Sequence, residues 1–422
     1  MLRDLDPASV GVSGPRLERV TQWLEEQVSS GRLAGCSAML GRCGEIAYFG
    51  ATGERDRELA KPFTRDSIVR IYSMTKPVTS VAAMMLYEQG CFQLDDPVAK
   101  YLPEFAQTPV WTGGDIGNTV PQDSPMLVRH LLTHTSGLTY GFMQTNPVDA
   151  LYRDRKLESA NGPSTLAELV AEFARIPLIC QPGSQWNYSV STDVLGRLVE
   201  IWSGQTLADF FAESLFKPLA MVDSGFHVEE NKHSRFSALY APLTGGGMSD
   251  VGRPSAADPA ERGGLKLQES SEDSRFMQPT GLYSGGGGLT STIDDYARFC
   301  QMLLNGGELE GARVLGRKTV EHMRLNHLPN NNDMAAMGQP VWSETSYDGI
   351  GFGLGFAVVL DPAKASIITS PGEHHWGGAA STFFWLDPAE ELFVVFLTQL
   401  IPSSTYPIRR ELRSRIYQAL VD

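Results

Sequence analysis

What most constrains the fold of this 422-residue chain is that strand-forming sequence appears near both ends, with helical sequence inserted between. Ser13 followed by Pro15 opens a first helix in which Leu17, Val20, Leu24 and Val28 recur on one face. Residues 36–42 and 45–50 then read as two strands about a turn at Cys43-Gly44, and residues 69–72 as a short buried strand. From about residue 94 to 222 the periodicity is mainly helical. Thr165 and Glu168 form a capping box there, and residues 192–202 make a helix that stops at Gly204. Residues 228–280, with Gly245, Gly246 and Gly247, read as long polar loops. Strand patterns return at 355–360, 366–369, 382–386 and 392–399, before an amphipathic helix carrying Ile408, Leu412, Ile416 and Leu420.

Ser73 falls where the 69–72 strand should pass into a helix over 78–89, closed by Gly90. A helix start offers unpaired N–H groups and partial positive charge, which stabilise a developing oxyanion. Lys76 follows three residues later, on the same face. A lysine titrating near ~10.4 serves a serine as base only if burial or nearby positive charge lowers that value. The same spacing recurs at Ser214 and Lys217, late in a helical run and before Pro218, where a solvated cation suits the helix C-terminus. Ser73 taken alone also fits an ordinary helix cap, so further motifs must decide.

Charge and composition remove other classes. Thirty-five basic against 49 acidic residues give a net charge of −14, which disfavours nucleic acid and anionic membranes as partners. The first residues lack the pattern of a secretory signal, and no apolar run is long enough to span a bilayer. The five cysteines include no Cys-x-x-Cys pair, which fits a reduced, cytoplasmic protein. His130 and His134 stand four apart without a third ligand or a His-Glu-x-x-His motif, and read as structural, as do His374 and His375. Ser284 to Leu289 is glycine-rich, but no Gly-Lys-Ser/Thr follows, so no phosphate cofactor is expected. No metal or other cofactor is expected either.

Ser73-Met74-Thr75-Lys76, Tyr188-Ser189-Val190 and Trp376-Gly377-Gly378, in that order, resemble the three motifs of the serine β-lactamase and penicillin-binding-protein superfamily, in its class C-like branch. Leu131 to Leu138, Gly285 to Asp295 and Gly351 to Phe356 match as well, so the resemblance covers nearly the whole chain. It implies an α/β fold with an antiparallel sheet flanked by helices plus an all-α subdomain. The α/β domain would comprise 1–93 and 281–422, the mainly helical domain 94–280, with the site in the cleft between them.

The departures point to substrate. The second motif of class C β-lactamases ends in asparagine and the third begins with lysine, where this chain has Val190 and Trp376. Losing a carboxylate-binding cation to an indole favours neutral acyl groups. That combination is similar to the family VIII carboxylesterases, and no Gly-x-Ser-x-Gly of an α/β-hydrolase is present. The resemblance implies an acyl-enzyme on Ser73, with Lys76 and Tyr188 moving protons and either as the initial base. It also implies an oxyanion hole of the Ser73 and Ala379 amides, and a substrate site bordered by Val190, Trp376, Gly377 and Gly378. The implied partner is a small-molecule ester. A β-lactamase, an acyltransferase and a non-catalytic sensor on the same scaffold are the alternatives, and oligomeric state is left open.

Overall fold

The computed structural model describes residues 2–158, 162–244, 264–338, 347–403 and 405–422, so Gly245, Gly246 and Gly247 lie outside the described residues. Strands β1 (Gly35–Arg42) and β2 (Glu45–Asp56) form the expected hairpin. Its turn holds both Cys43 (φ 51°) and Gly44 (φ 85°) in left-handed backbone, the geometry of a tight hairpin. A short β3 (Lys61–Pro62) extends that edge. Far along the chain come β6 (Ile350–Phe352), β7 (Ala357–Val359), β8 (His374–Gly377), β9 (Phe383–Asp387) and β10 (Leu392–Thr398). All eight strands make one antiparallel sheet in the order β6-β7-β8-β9-β10-β1-β2-β3, joined where β10 pairs with β1. Sequence ends more than 300 residues apart are thus hydrogen-bonded neighbours.

Both faces of this sheet are covered, which is why β10 is a continuous apolar run. Leu392, Val394 and Phe396 face a cluster with Trp23 and Leu24 of α1 (Gly14–Ser29) and with Leu412 and Ile416 of the C-terminal helix (Ile408–Tyr417). Phe393, Val395 and Leu397 face the larger core, which takes in α2 (Thr75–Glu88), α3 (Ser191–Ser203) and α4 (Ile293–Leu304). Full burial of each such side chain contributes about 1.5–3 kcal/mol. Thr292 caps α4 by accepting from Asp295 N at 3.3 Å, and Thr165 caps helix Leu166–Phe173 as expected.

Three departures have local causes. The strand expected over 69–72 is only two residues, β4 (Val69–Arg70), and pairs outside the main sheet with β5 (Thr290–Ser291). Ile71 N still bonds Leu289 O, but Tyr72 then turns to φ 42° and ends extended backbone. The strand expected over 366–369 is absent, because Asp361 caps a short helix, Pro362–Ala365, and Ser366 leaves it at φ 55°. Within 228–280, Leu239–Pro242 and Leu265–Glu269 pair as a two-stranded ladder. Among the described residues no helix is long and apolar enough to cross a membrane.

Candidate active site

The site forms where α2, α3, the turn after β8 and the glycine-rich loop before β5 converge. Ser73 lies in a single 3-10 turn, Tyr72–Met74, that runs directly into α2, with Ile71 at the cap position of the turn and Met74 at that of α2. The serine is therefore not spent on capping. Tyr72, immediately before it, holds a left-handed backbone that is an outlier for a bulky residue. Its side chain packs against the cluster of Leu239, Ala241, Ala379, Ala380 and Ile401, which includes two residues of the β8–β9 turn.

Two side chains reach the Ser73 hydroxyl. Tyr188 Oη donates to Ser73 Oγ at 2.6 Å, and Lys76 Nζ donates to the same oxygen at 3.3 Å. Lys76 Nζ also donates to Tyr140 Oη at 3.0 Å and to Gly286 O at 2.7 Å, so each ammonium proton has an acceptor. Lys76 is 1% exposed, and burial lowers its pKa to about 7, with Asp193 and Glu158 acting in the opposite sense. Burial pushes the Tyr188 phenol up, and its contacts with Ser73 and Trp376 offset only part of this. Near neutral pH the amine can thus be free while the phenol keeps its proton.

The turn Gly377-Gly378-Ala379 closes the other side. A Cβ on Gly378 would stand 2.3 Å from Ile71 O, and one on Gly377 would stand 2.5 Å from Arg409 Nη2. At Gly378, where the neighbour is backbone, only glycine permits this approach, whereas at Gly377 the Arg409 side chain could give way. Ala379 lines the cavity above Ser73, and its amide donates to no acceptor among the described residues.

The cavity is about 220 Å³. Phe142, Leu157, Leu169, Phe173, Val190 and Leu282 give it an apolar wall, while Glu158, Asp193 and Arg275 bring acidic and basic groups to its lining. Of the four residues expected to border substrate, Val190 does line this cavity. Trp376 instead stands behind Tyr188, with ring centroids 5.5 Å apart, and Gly377 and Gly378 shape the turn rather than the cavity wall. His134 also backs Tyr188, at 5.0 Å between ring centroids, and its Nδ1 lies 3.3 Å from Ser189 Oγ. His375 Nδ1 pairs with Glu373 at 2.7 Å, away from the serine. The second Ser-x-x-Lys copy lies on a π-helical turn, Ala212–Phe216, with Lys217 exposed beyond it.

Sequence reasoning passed over Tyr140, Glu158, Asp193 and the Gly286 carbonyl. Asp193 carried one signal, since it is an acidic residue in the first turn of α3, five residues after Tyr188. Tyr140 and Gly286 had none that local pattern reveals, because their roles depend on distances between separate segments. Among the described residues no cluster of three potential metal ligands exists.

Comparison with known proteins adds to this geometry. The Beta-lactamase family model matches residues 20–417. Esterase EstB of Burkholderia gladioli is 32% identical over 428 residues, covering 98% of each chain. Acyltransferase calJ of Penicillium decumbens is 27% identical, over 83% of this chain and 80% of its own. The solved structure of EstCE1, described as a hydrolase with promiscuous acyltransferase activity, superimposes with a TM-score of 0.76 at 27% identity, over 97% of this chain and 99% of that one.

Proposed function

Since the chain belongs to the beta-lactamase family, we propose that it is a serine hydrolase of carboxylic esters that works through an acyl-enzyme on Ser73. The observation that carries this reading is the convergence of Tyr188 Oη and Lys76 Nζ on one serine oxygen, beside a cavity with an apolar wall. The likeness to an esterase along nearly the full length supports ester bonds as the target.

The mechanism follows from the electrostatics. Lys76, free of its extra proton for about half the time near pH 7, accepts the Ser73 proton as Oγ attacks the ester carbonyl. The negative oxygen is held by the amides of Ser73 and Ala379. As the carbon–oxygen bond of the leaving group breaks, Tyr188 gives its proton to the departing alkoxide and is reprotonated from Lys76. Water then enters and passes a proton to Lys76 as its oxygen attacks the acyl carbon, and when the bond to Ser73 Oγ breaks that proton returns from Lys76 to the serine, releasing the carboxylic acid and restoring the starting state. This reading takes Lys76 rather than Tyr188 as the initial base, since burial opposes a phenolate.

Val190 and Trp376 put no cation at those two motif positions, which supports neutral acyl groups over anionic β-lactams, with Arg275 the cation on the cavity lining, and short acyl chains belong to the same proposal. The two-lobe division at 1–93 with 281–422 against 94–280 belongs to the same reading, with the cavity lined from both parts. Five unpaired cysteines fit a reducing compartment such as the cytoplasm. A second reading, acyl transfer to an alcohol in place of water, is favoured by the calJ and EstCE1 likenesses.

The test is turnover of p-nitrophenyl esters of increasing acyl length, with and without an acceptor alcohol, and with a cephalosporin as competitor substrate. Ser73→Ala should remove ester turnover, and an active-serine phosphonate should add its mass to the parent but not to the variant. Full activity in Ser73→Ala would overturn the reading.

A further inference from the structure

Lys76 reaches Ser73 from a position set by a carbonyl, and that carbonyl is set by a carboxylate on another helix. Ser284 Oγ donates to Asp193 Oδ1 at 2.6 Å, and Gly286 N donates to the same oxygen at 3.1 Å. One peptide away, Gly286 O accepts from Lys76 Nζ at 2.7 Å. The loop is tied to α2 as well, through Thr79 Oγ1 to Gly285 O at 2.8 Å and Leu289 N to Thr75 Oγ1 at 3.1 Å. A Cβ on Gly286 would stand 2.5 Å from Asp193 Oδ2, so the close approach of carboxylate to loop backbone requires glycine there. Asp193 is itself buried, at 4% exposure, and comes from the first turn of α3.

We propose that Asp193 is a positioning residue for Lys76, holding the 284–289 loop so that the Gly286 carbonyl keeps the amine aimed at Ser73. The carboxylate has a second effect through its charge. It favours the protonated amine and thereby keeps the protonation midpoint of Lys76 from falling further under burial. The other titratable groups facing Lys76 are Glu158 from the loop after helix Pro147–Asp154, the phenols Tyr140 and Tyr188, and His134, while Arg275 lines the same cavity. Of the two carboxylates, Asp193 is the larger influence and the one that also holds backbone.

The proposal rests on the ester-hydrolase reading only for its activity readout, so the experiment has two arms. In the first, Lys76 is titrated by NMR of protein labelled at the lysine ε-carbon, its signal identified by loss in Lys76→Met. In the second, kcat and KM for p-nitrophenyl butyrate are followed against pH. Asp193→Asn keeps a hydrogen-bond acceptor and removes the charge. It should lower the Lys76 midpoint by about one pH unit and carry the acid limb of kcat/KM with it. Asp193→Ala also releases the loop, and kcat should fall by roughly 10²-fold with KM little changed. Ser284→Ala breaks the same tie from the loop side and should lower kcat in the same direction, so an unfolded Asp193→Ala leaves the test intact. A Lys76 midpoint and kcat equal to the parent in both Asp193→Asn and Ser284→Ala overturn the proposal. If the parent turns over no ester while Asp193→Asn still lowers the Lys76 midpoint, the Asp193–Lys76 coupling stands and the hydrolase reading is overturned instead.

Discussion

Gly378 lies so close to Ile71 that a β-carbon on the glycine would stand 2.3 Å from the isoleucine carbonyl oxygen and 2.3 Å from Thr382 Oγ1. Through this contact the turn after β8 is pressed against the backbone two residues before Ser73, and Ala379 of that turn, the proposed second oxyanion donor, lines the same cavity as the serine. Gly378→Ala should push the turn away without unfolding the sheet. Loss of one oxyanion donor corresponds to about 2.7–4 kcal/mol, a fall in kcat of ~10²–10³-fold, with a stability cost of about 1–3 kcal/mol from overpacking. Steady-state kinetics beside a thermal melt would check this, and kcat within threefold of the parent would show that the Ala379 amide is not a donor.

Lys76 ties activity and stability to the same proton. Its folded midpoint, about 7, lies below that of an unfolded lysine, ~10.4, so the unfolded chain holds the additional proton between those values and stability rises with pH across that window. Activity should therefore fall on the acid side with a midpoint near pH 7. Lys76→Met should abolish turnover yet raise Tm at pH 7. The relieved penalty is on the order of a few kcal/mol, offset by about 1–3 kcal/mol for leaving the Gly286 carbonyl and Tyr140 hydroxyl unpaired. The gain should shrink toward pH 10. Melting curves at pH 6, 7 and 9 measure it, and a lower Tm for the variant at pH 7 would contradict the assignment.

Behind β8 a fully buried carboxylate, Glu373, is held by Arg413 of the C-terminal helix, by His375 at 2.7 Å and by Thr369 at 2.5 Å. Burial alone would raise its pKa, but Arg413 and His375 prevail and hold it at about 2. Because this is below the unfolded carboxylate value, the stability it contributes is present above about pH 4.3 and is lost as pH falls toward 2. Arg413→Met should cost about 3–5 kcal/mol at pH 7 by stranding the charge. Its deficit in Tm relative to the parent should narrow from pH 7 to pH 3, and a deficit independent of pH would count against the ion pair as the cause.

Much of the candidate site was legible in order along the chain. Ser73 with Lys76, then Tyr188, pointed to one site because each residue sits beside a helix start, a local feature that sequence exposes. The bordering role expected of Trp376 was less legible. Its side chain turned out to back the Tyr188 ring, a matter of which face of β8 it occupies and what packs there. Tyr140 and the Gly286 carbonyl were invisible for the same kind of reason. Each is a common residue in a loop, and only its distance to Lys76 gives it meaning.

By itself the sequence determined the mixed architecture, the helix caps, and which serine, lysine and tyrosine are the candidates for nucleophile and proton carriers, because periodicity, capping and motif order are properties of short stretches. Tertiary structure decided that β10 joins β1 across the chain, that Lys76 is buried enough for its pKa to fall to about 7, and that Gly378 packs against the Ile71 carbonyl beside the serine turn. Burial and close approach are sums over segments distant in sequence, and no single segment carries them.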